Sequence, residues 1–315
     1  MSPATVAIHA SDLIKRFPDV LAVDRLSVEV KAGEIFGLVG PDGAGKTTAL
    51  RMLAGVLMPD SGSAMIAGFD IVRDAEAAKA VISYMPQRFG LYEDLTVDEN
   101  IRFYADIFGV SRTERVQRAS RLLNAANLTQ FGHRLAGKLS GGMKQKLGLV
   151  CALVHRPRVI LLDEPTNGVD PVSRRDFWQI LYSLLGEGVA ILMSTAYLDE
   201  AERCHRIALL HQGRILFSDT PSELKKHFLG AIVAVVSPSP RRVQAFLANA
   251  EGVLNVVLVG DGVHLVVDDA ERRIPELRRH MVSAALPFDS IEQVVPTIED
   301  LFVAATSGSH RGMDR

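Results

Sequence analysis

The chain has 315 residues, 48% apolar and 23% charged, with a formal net charge of −2. That is the composition of an ordinary globular protein. The balance of charge argues against a nucleic-acid partner, which wants a basic excess, and two cysteines, Cys151 and Cys204, are too few for a disulfide scaffold or a zinc site.

No apolar run reaches the ~20 residues of a membrane span, and the opening MSPATVAIHA lacks the charged and apolar regions of a signal peptide. A cytoplasmic chain of two domains is expected, touching a membrane only through a partner. In chain order, LSVEV at 26–30 alternates apolar and polar residues, the pattern of a half-buried strand. KAGE then turns the chain into IFGLV at 35–39, a buried strand. Next comes GPDGAGKTT at 40–48, which has the form G-x-x-x-x-G-K-[ST], and TTALRMLAGV at 47–56 has helical spacing. The motif therefore stands between strand and helix, as a phosphate-binding loop requires. In this loop of Gly40, Pro41, Asp42, Gly43, Ala44 and Gly45, every residue but the proline can present a backbone N–H to phosphate oxygens, and the helix start that follows at Thr47 and Thr48 adds its dipole. Lys46 is expected to reach the β- and γ-phosphates, and the Thr47 hydroxyl to coordinate Mg²⁺.

MPDSG at 58–62 reads as a turn, VISYM at 81–85 as a strand, and Val97 to Ala126 as helical and polar on one side. LSGGMKQKLGL at 139–149 follows. Ser140 can cap a helix there, while Gly141 and Gly142 would let a phosphate approach its first turn. VILLD at 159–163 has the continuous apolar character of a buried parallel strand. It ends in Asp163, placed to hold Mg²⁺, and Glu164, placed to polarise an attacking water as general base. Asp170 and Pro171 open a long helix in the favoured cap-then-proline order, and VAILMS at 189–194 is another buried strand. Strands alternating with helices predict a parallel sheet covered on both faces. Near Gly230 the pattern changes. AIVAVV (231–236), RRVQAFLANA (241–250), VLNVVLV (253–259), VHLVV (263–267), ERRIPELRRHMVSAAL (271–286) and FDSIEQVV (288–295) follow in the order β-α-β-β-α-β, which is ferredoxin-like. The predicted domains are 1–230, with a helical subdomain at about 92–155, and 231–315, a small accessory α+β domain with a structural or dimer-forming role.

LSGGMKQKLGL resembles the LSGGQ signature of ABC-type ATPases, with Met143 in place of glutamine. The family's other motifs stand in order: Phe17 as the aromatic that would stack on adenine, Gln87 in YMPQ as the Q-loop, and GVD at 168–170 as the D-loop. The resemblance covers residues 5 to about 228. It implies an α/β P-loop NTPase fold, ATP and Mg²⁺ as cofactors, metal ligation by Thr47, Gln87 and Asp163, and catalytic roles for Lys46, Gln87 and Glu164. Each ATP of such a protein lies between the P-loop of one chain and the signature of another. The stretches GPDGAGKTT, YMPQRFGLYEDLT and STAYLDEAE look like the N-terminal nucleotide-binding half of tandem bacterial ABC-2 type drug-exporter ATPases, and the tail, with TIEDLFVA, looks like their accessory domain. This implies one nucleotide-binding domain that energises a separate ABC-2 type permease from the cytoplasmic face of the cell membrane, with RFGLYEDLTVDEN contacting the permease.

One family feature is missing. The H-loop histidine, which bridges γ-phosphate, water and catalytic glutamate, is replaced by Ala196 in STAY. Strand alternation prevents Ser194 and Thr195 from both facing the site. Loss of one positioned donor costs ~10²–10³ in rate, so ATP binding with slow turnover is expected. In a homodimer both sites would lack the histidine; in a heterodimer with a second ABC ATPase the intact LSGG would complete the partner's site. A regulatory nucleotide-binding subunit with little turnover is the alternative.

Overall fold

A computed structural model of the chain describes residues 5–88, 90–226 and 230–306. The chain divides into two compact units, the first running to Ile215 and the second starting at Leu216.

The first unit begins with a long hairpin, β1 (Val6–Phe17) and β2 (Val20–Lys31), followed by β3 (Ile35–Val39) and α1 (Lys46–Leu53). After β4 (Ser61–Ile66), β5 (Phe69–Asp70) and α2 (Ala75–Val81) comes β6 (Ile82–Met85). Three helices follow, α3 (Val97–Ile107), α4 (Arg112–Ala125) and α5 (Gly141–Leu153). The chain then returns through β7 (Val159–Asp163), α6 (Pro171–Leu185), β8 (Ala190–Thr195), α7 (Leu198–Ala201), β9 (Arg206–His211) and β10 (Arg214–Asp219). Two sheets result. One is antiparallel, in the order β2-β1-β4-β5, and the other has the order β10-β9-β3-β8-β7-β6. Within the second, β6, β7, β8, β3 and β9 pair in parallel. Every residue of β3, β7 and β8 is buried, as expected of parallel strands covered on both faces. A common core joins the two sheets through Ile8, Leu26, Phe36, Leu50, Leu161 and Leu192. The first sheet had no counterpart in the sequence reading beyond LSVEV. Its strands are polar on one side and carry shifts of register, which blur the alternation that betrays a strand.

The helices form where local signals agree. Thr96 caps α3 and exchanges bonds with Glu99 as a capping box. Ser111 caps α4 and Asp170 caps α6, whose first residue is Pro171.

The second unit contains α8 (Pro221–Lys226), β11 (Ala231–Val236), α9 (Pro240–Leu247), β12 (Val253–Val259), β13 (Gly262–Val267), α10 (Ala270–Ser283), β14 (Ser290–Val294) and α11 (Ile298–Thr306). Its sheet has the order β12-β13-β11-β14, with antiparallel pairing throughout. This is the β-α-β-β-α-β order of a ferredoxin-like domain with α11 added, and its own core gathers Val233, Val243, Leu265, Leu277 and Met281. The division between units falls inside β10, earlier than the change of sequence character at Gly230. The reason is that α8 packs on α11 of the second unit, a contact between segments too far apart in sequence for periodicity to reveal.

Candidate functional site

The site forms at the carboxyl ends of the parallel strands, where a sheet of this type places its ligand-binding loops. The loop 40–45 leaves β3 and enters α1 at Lys46. Gly45 has φ 104°, and a Cβ there would stand 2.2 Å from the Ala22 carbonyl oxygen. Glycine is therefore required both by conformation and by the approach of the β1–β2 hairpin. Phe17 closes that hairpin opposite Val20 and is 39% exposed, with the Lys15 ammonium 5.9 Å from its ring centroid.

Lys46 is 4% exposed, and its Nζ donates to the carbonyls of Gly40 (2.8 Å) and Pro41 (3.0 Å). It also lies 3.0 Å from Oε1 of Glu164. Thr47 Oγ1 donates to Asp163 Oδ1 at 3.0 Å. Gln87 Nε2 donates to Glu164 Oε2 at 3.0 Å. Five residues singled out in the sequence, Lys46, Thr47, Gln87, Asp163 and Glu164, thus meet in one cluster drawn from three separate loops.

Sequence reasoning missed three further members. Ser194 lies beside Asp163 in the β7–β8 register. Its Oγ donates to Asp163 Oδ1 at 2.7 Å and accepts from the Glu164 N–H at 3.0 Å, so one hydroxyl fixes both acids. Glu164 itself has φ 47°, a left-handed conformation uncommon for a non-glycine residue and frequent at functional sites. Asn167 Nδ2 donates to Glu164 Oε2 at 3.4 Å, and its Oδ1 accepts from the Tyr197 hydroxyl at 3.1 Å. Tyr84 places its hydroxyl 3.5 Å from Asp163 Oδ2; burial, and then the Asp163 charge, raise its pKa above the usual phenol value. A small polar residue inside the apolar run VAILMS was the available signal for Ser194.

Ala196 is exposed at the bend after β8. Thr195 faces the opposite way from Ser194: its hydroxyl donates to Glu200 at 2.8 Å and accepts from the Tyr197 N–H at 2.9 Å. Glu200 is fully buried and also accepts from Thr166 (2.5 Å) and Trp178 (3.4 Å). The backbone around Ala196 is therefore held firmly, although its methyl group offers no donor. His205 does not serve instead, since its Nδ1 accepts from the Ile35 N–H at 3.1 Å.

The signature stands on a separate helix start. Ser140 caps α5 by accepting from the Met143 N–H at 3.3 Å. Its two glycines have different reasons. A Cβ on Gly141 would meet nothing within 4 Å, leaving an open approach for an anion. A Cβ on Gly142 would lie 2.4 Å from Ser173 Oγ. Gly142 thus has a packing reason to be glycine, against the start of α6.

A hydroxyl, Thr47, and a carboxylate, Asp163, are hard oxygen donors of the kind magnesium prefers. Among the described residues no cluster of three or more His, Cys, Asp or Glu could hold a metal. These residues therefore fit a magnesium ion that keeps water and phosphate oxygens in its remaining positions, as this ion usually does.

The family model described as ABC transporter matches residues 23–167. The daunorubicin resistance ATP-binding protein DrrA2 of Streptomyces coeruleorubidus is 33% identical over 95% of this chain and 95% of its own length. The chain belongs to the ABC transporter ATP-binding family. The chain is also 45% identical, over 98% of its length, to the probable multidrug ABC transporter ATP-binding protein YbhF of Escherichia coli (strain K12), of which the match covers 53%. The chain thus spans about half the length of the first curated relatives it matches. Among solved structures, an ATP-binding cassette described as dimeric and bound to ADP and Pi aligns with a TM-score of 0.61 and 25% identity. That alignment covers 68% of this chain and 98% of the other, and the shared fold is the P-loop cassette.

Proposed function

We propose that this chain is the ATP-binding and ATP-hydrolysing subunit of an ABC-2 type membrane exporter, energising a separate permease from the cytoplasmic face of the membrane. The observation that carries the reading is the convergence of Lys46, Thr47, Asp163, Glu164 and Gln87 on one point, with Ser140 and Gly141 presented on another helix start. The names of the drug-exporting relatives support the transport role. Among the described residues no helix is long and apolar enough to cross a membrane, so these residues would reach it through the permease.

The chemistry follows from the geometry. Backbone N–H groups of 40–45 and the Lys46 ammonium hold the β- and γ-phosphates, and the Phe17 ring stacks on adenine. Thr47 and Asp163, with Gln87, would hold Mg²⁺, which when bound neutralises phosphate charge. Lys46 is paired with Glu164 at 3.0 Å. A bound phosphate would compete with Glu164 for the ammonium, and Glu164, oriented by Gln87 and Asn167, is placed to accept a proton from water.

Ala196 favours a second feature of the same reading: the chain binds ATP but turns it over slowly at its own P-loop. A heterodimer with a second ABC ATPase, whose site the intact Ser140–Gly142 completes, accommodates that weakness. Two measurements test the proposal. Lys46→Ala removes a charged hydrogen-bond donor worth ~1.5–3 kcal/mol, so ATP affinity should fall roughly 10- to 100-fold or more in a folded protein; unchanged affinity would show that the site is misassigned. Affinity purification of the chain from its native membranes should bring down a polytopic permease, and its reproducible absence would refute the transport role.

A further inference from the structure

At the amino ends of the parallel strands the first unit holds a cavity of about 620 Å³, lined among others by Pro157 and Arg158 ahead of β7 and by Gly188 and Val189 ahead of β8. The ATP site lies at the opposite ends of these strands, so one strand length, roughly 15 Å, separates the two. The cavity's apolar lining includes Leu122, Leu153, Leu184 and Val189, of which the last three are buried. Around it stand four guanidinium groups, Arg118, Arg121, Arg156 and Arg158, against one lining carboxylate, Glu187.

Carboxylates pair with two of these arginines and leave the other two. Glu187 is held by Arg121, and Glu114, outside the lining, accepts from Arg118 at 3.0 Å. Among the described residues Arg158 donates to a carbonyl, that of Ala67, at 3.3 Å, and Arg156 makes no direct ion pair, although its charge reaches Glu114. Arg156 also has a left-handed backbone, φ 58°, in the connection between α5 and β7, uncommon for a residue other than glycine. A lone exposed arginine is an ordinary surface feature. Four around a single apolar cavity, with only two carboxylates against them, leave a cationic field that suits an oxyanion, which a guanidinium fork can bind through two parallel hydrogen bonds. The apolar interior would gain nothing from a bare ion. Its volume lies in the range of small-ligand sites, which combine apolar walls with a few convergent polar groups.

We propose that this cavity binds an amphiphilic anion, a phosphate or carboxylate head group on an apolar body. The head lies against Arg156 and Arg158, and the body lies along Leu122, Leu153 and Leu184.

Calorimetric titration of the full chain with decyl phosphate, below its micelle concentration, tests this against inorganic phosphate, decanol and phosphatidate vesicles. Decyl phosphate should bind one to one, at least about tenfold tighter than phosphate or decanol, because head and body each contribute. Arg156→Ala with Arg158→Ala should weaken it about tenfold or more, consistent with the strength of charge-assisted pairs, and Leu122→Trp should block it by filling the cavity. MgATP binding should be unchanged in each variant, showing that the fold is intact. Absence of decyl phosphate binding overturns the proposal, as does equal binding of phosphate or decanol, or indifference to the arginine variants. Binding to vesicles without binding of monomeric decyl phosphate overturns it too, by making the arginines a membrane-surface patch.

Discussion

At the scale of single residues, the proposed slow turnover rests on Ala196. The neighbours that could have replaced a histidine are already engaged: Ser194 on Asp163 and the Glu164 N–H, Thr195 on Glu200. Glu164, by contrast, is fully equipped, with Gln87 and Asn167 donating to it and Ser194 holding its backbone. In the proposed reading the defect is therefore one side chain on a well-held frame. Ala196→His should raise steady-state phosphate release by ~10²-fold, the value of one positioned donor. The gain should vanish when Glu164→Gln is added, because the two groups act on the same water and their effects are not additive. Vigorous hydrolysis by the wild type, at ~1 s⁻¹ or faster, would mean that another group supplies the missing donor.

At the scale of elements, the docking of α11 in the second unit depends on a buried ion pair. Asp300, 1% exposed, accepts from the N–H and hydroxyl of Thr297, both at 2.8 Å, and lies 3.0 Å from His264 Nδ1 on β13. The Asp300 hydrogen bond raises the pKa of His264 above 6.5, with burial opposing it. For Asp300, burial pushes upward, but His264 and Thr297 outweigh it and leave the carboxyl below 3.8. The signs give a window. The raised histidine contributes stability that is complete below its unfolded pKa and lost as pH rises through its folded value. The depressed carboxyl contributes stability that is present above its unfolded pKa and lost as pH falls through its folded value. Docking should thus be firmest between about pH 4 and 6.5 and weaken at alkaline pH. Hydrogen exchange of residues 298–306 in the full chain should accelerate, beyond the intrinsic pH effect, from pH 6 to 8.5. His264→Asn should abolish that excess, and Asp300→Ala should cost ~1.5–3 kcal/mol, as expected for a hydrogen bond to a charged group. A wild-type profile that parallels His264→Asn would remove the pair from the account.

For the whole molecule, the question is how P-loop and signature are used. In one chain Lys46 bonds to the loop and to Glu164, while Ser140 and Gly142 contact Met143 and Ser173. The signature's open face at Gly141 awaits a nucleotide held elsewhere, in the proposed reading by a second chain. Ser140→Arg should therefore leave ATP binding by the isolated chain within about twofold of wild type, yet lower ATPase activity of the assembled transporter by ~10²-fold, as loss of one anion-stabilising donor does. Loss of ATP binding in a folded, isolated variant would contradict this division of labour.

The sequence by itself determined what local rules can encode. Strand, loop and helix around Lys46 follow from apolar runs and glycine placement, the capped starts of α5 and α6 follow from Ser140 and from Asp170–Pro171, and the order of the second unit follows from six alternations of pattern. It also exposed the substitution at Ala196, because a missing side chain at a motif position needs no coordinates to be seen. Only the tertiary structure decided which groups meet. Ser194 and Asp163 are brought together by parallel pairing of strands 31 residues apart, and Gly142 is glycine because α6 crosses it. The arginines around the distal cavity come from the segments 118–121 and 156–158. Each of these contacts depends on strand order and helix packing, interactions of long sequence separation whose geometry leaves no periodic trace in the chain.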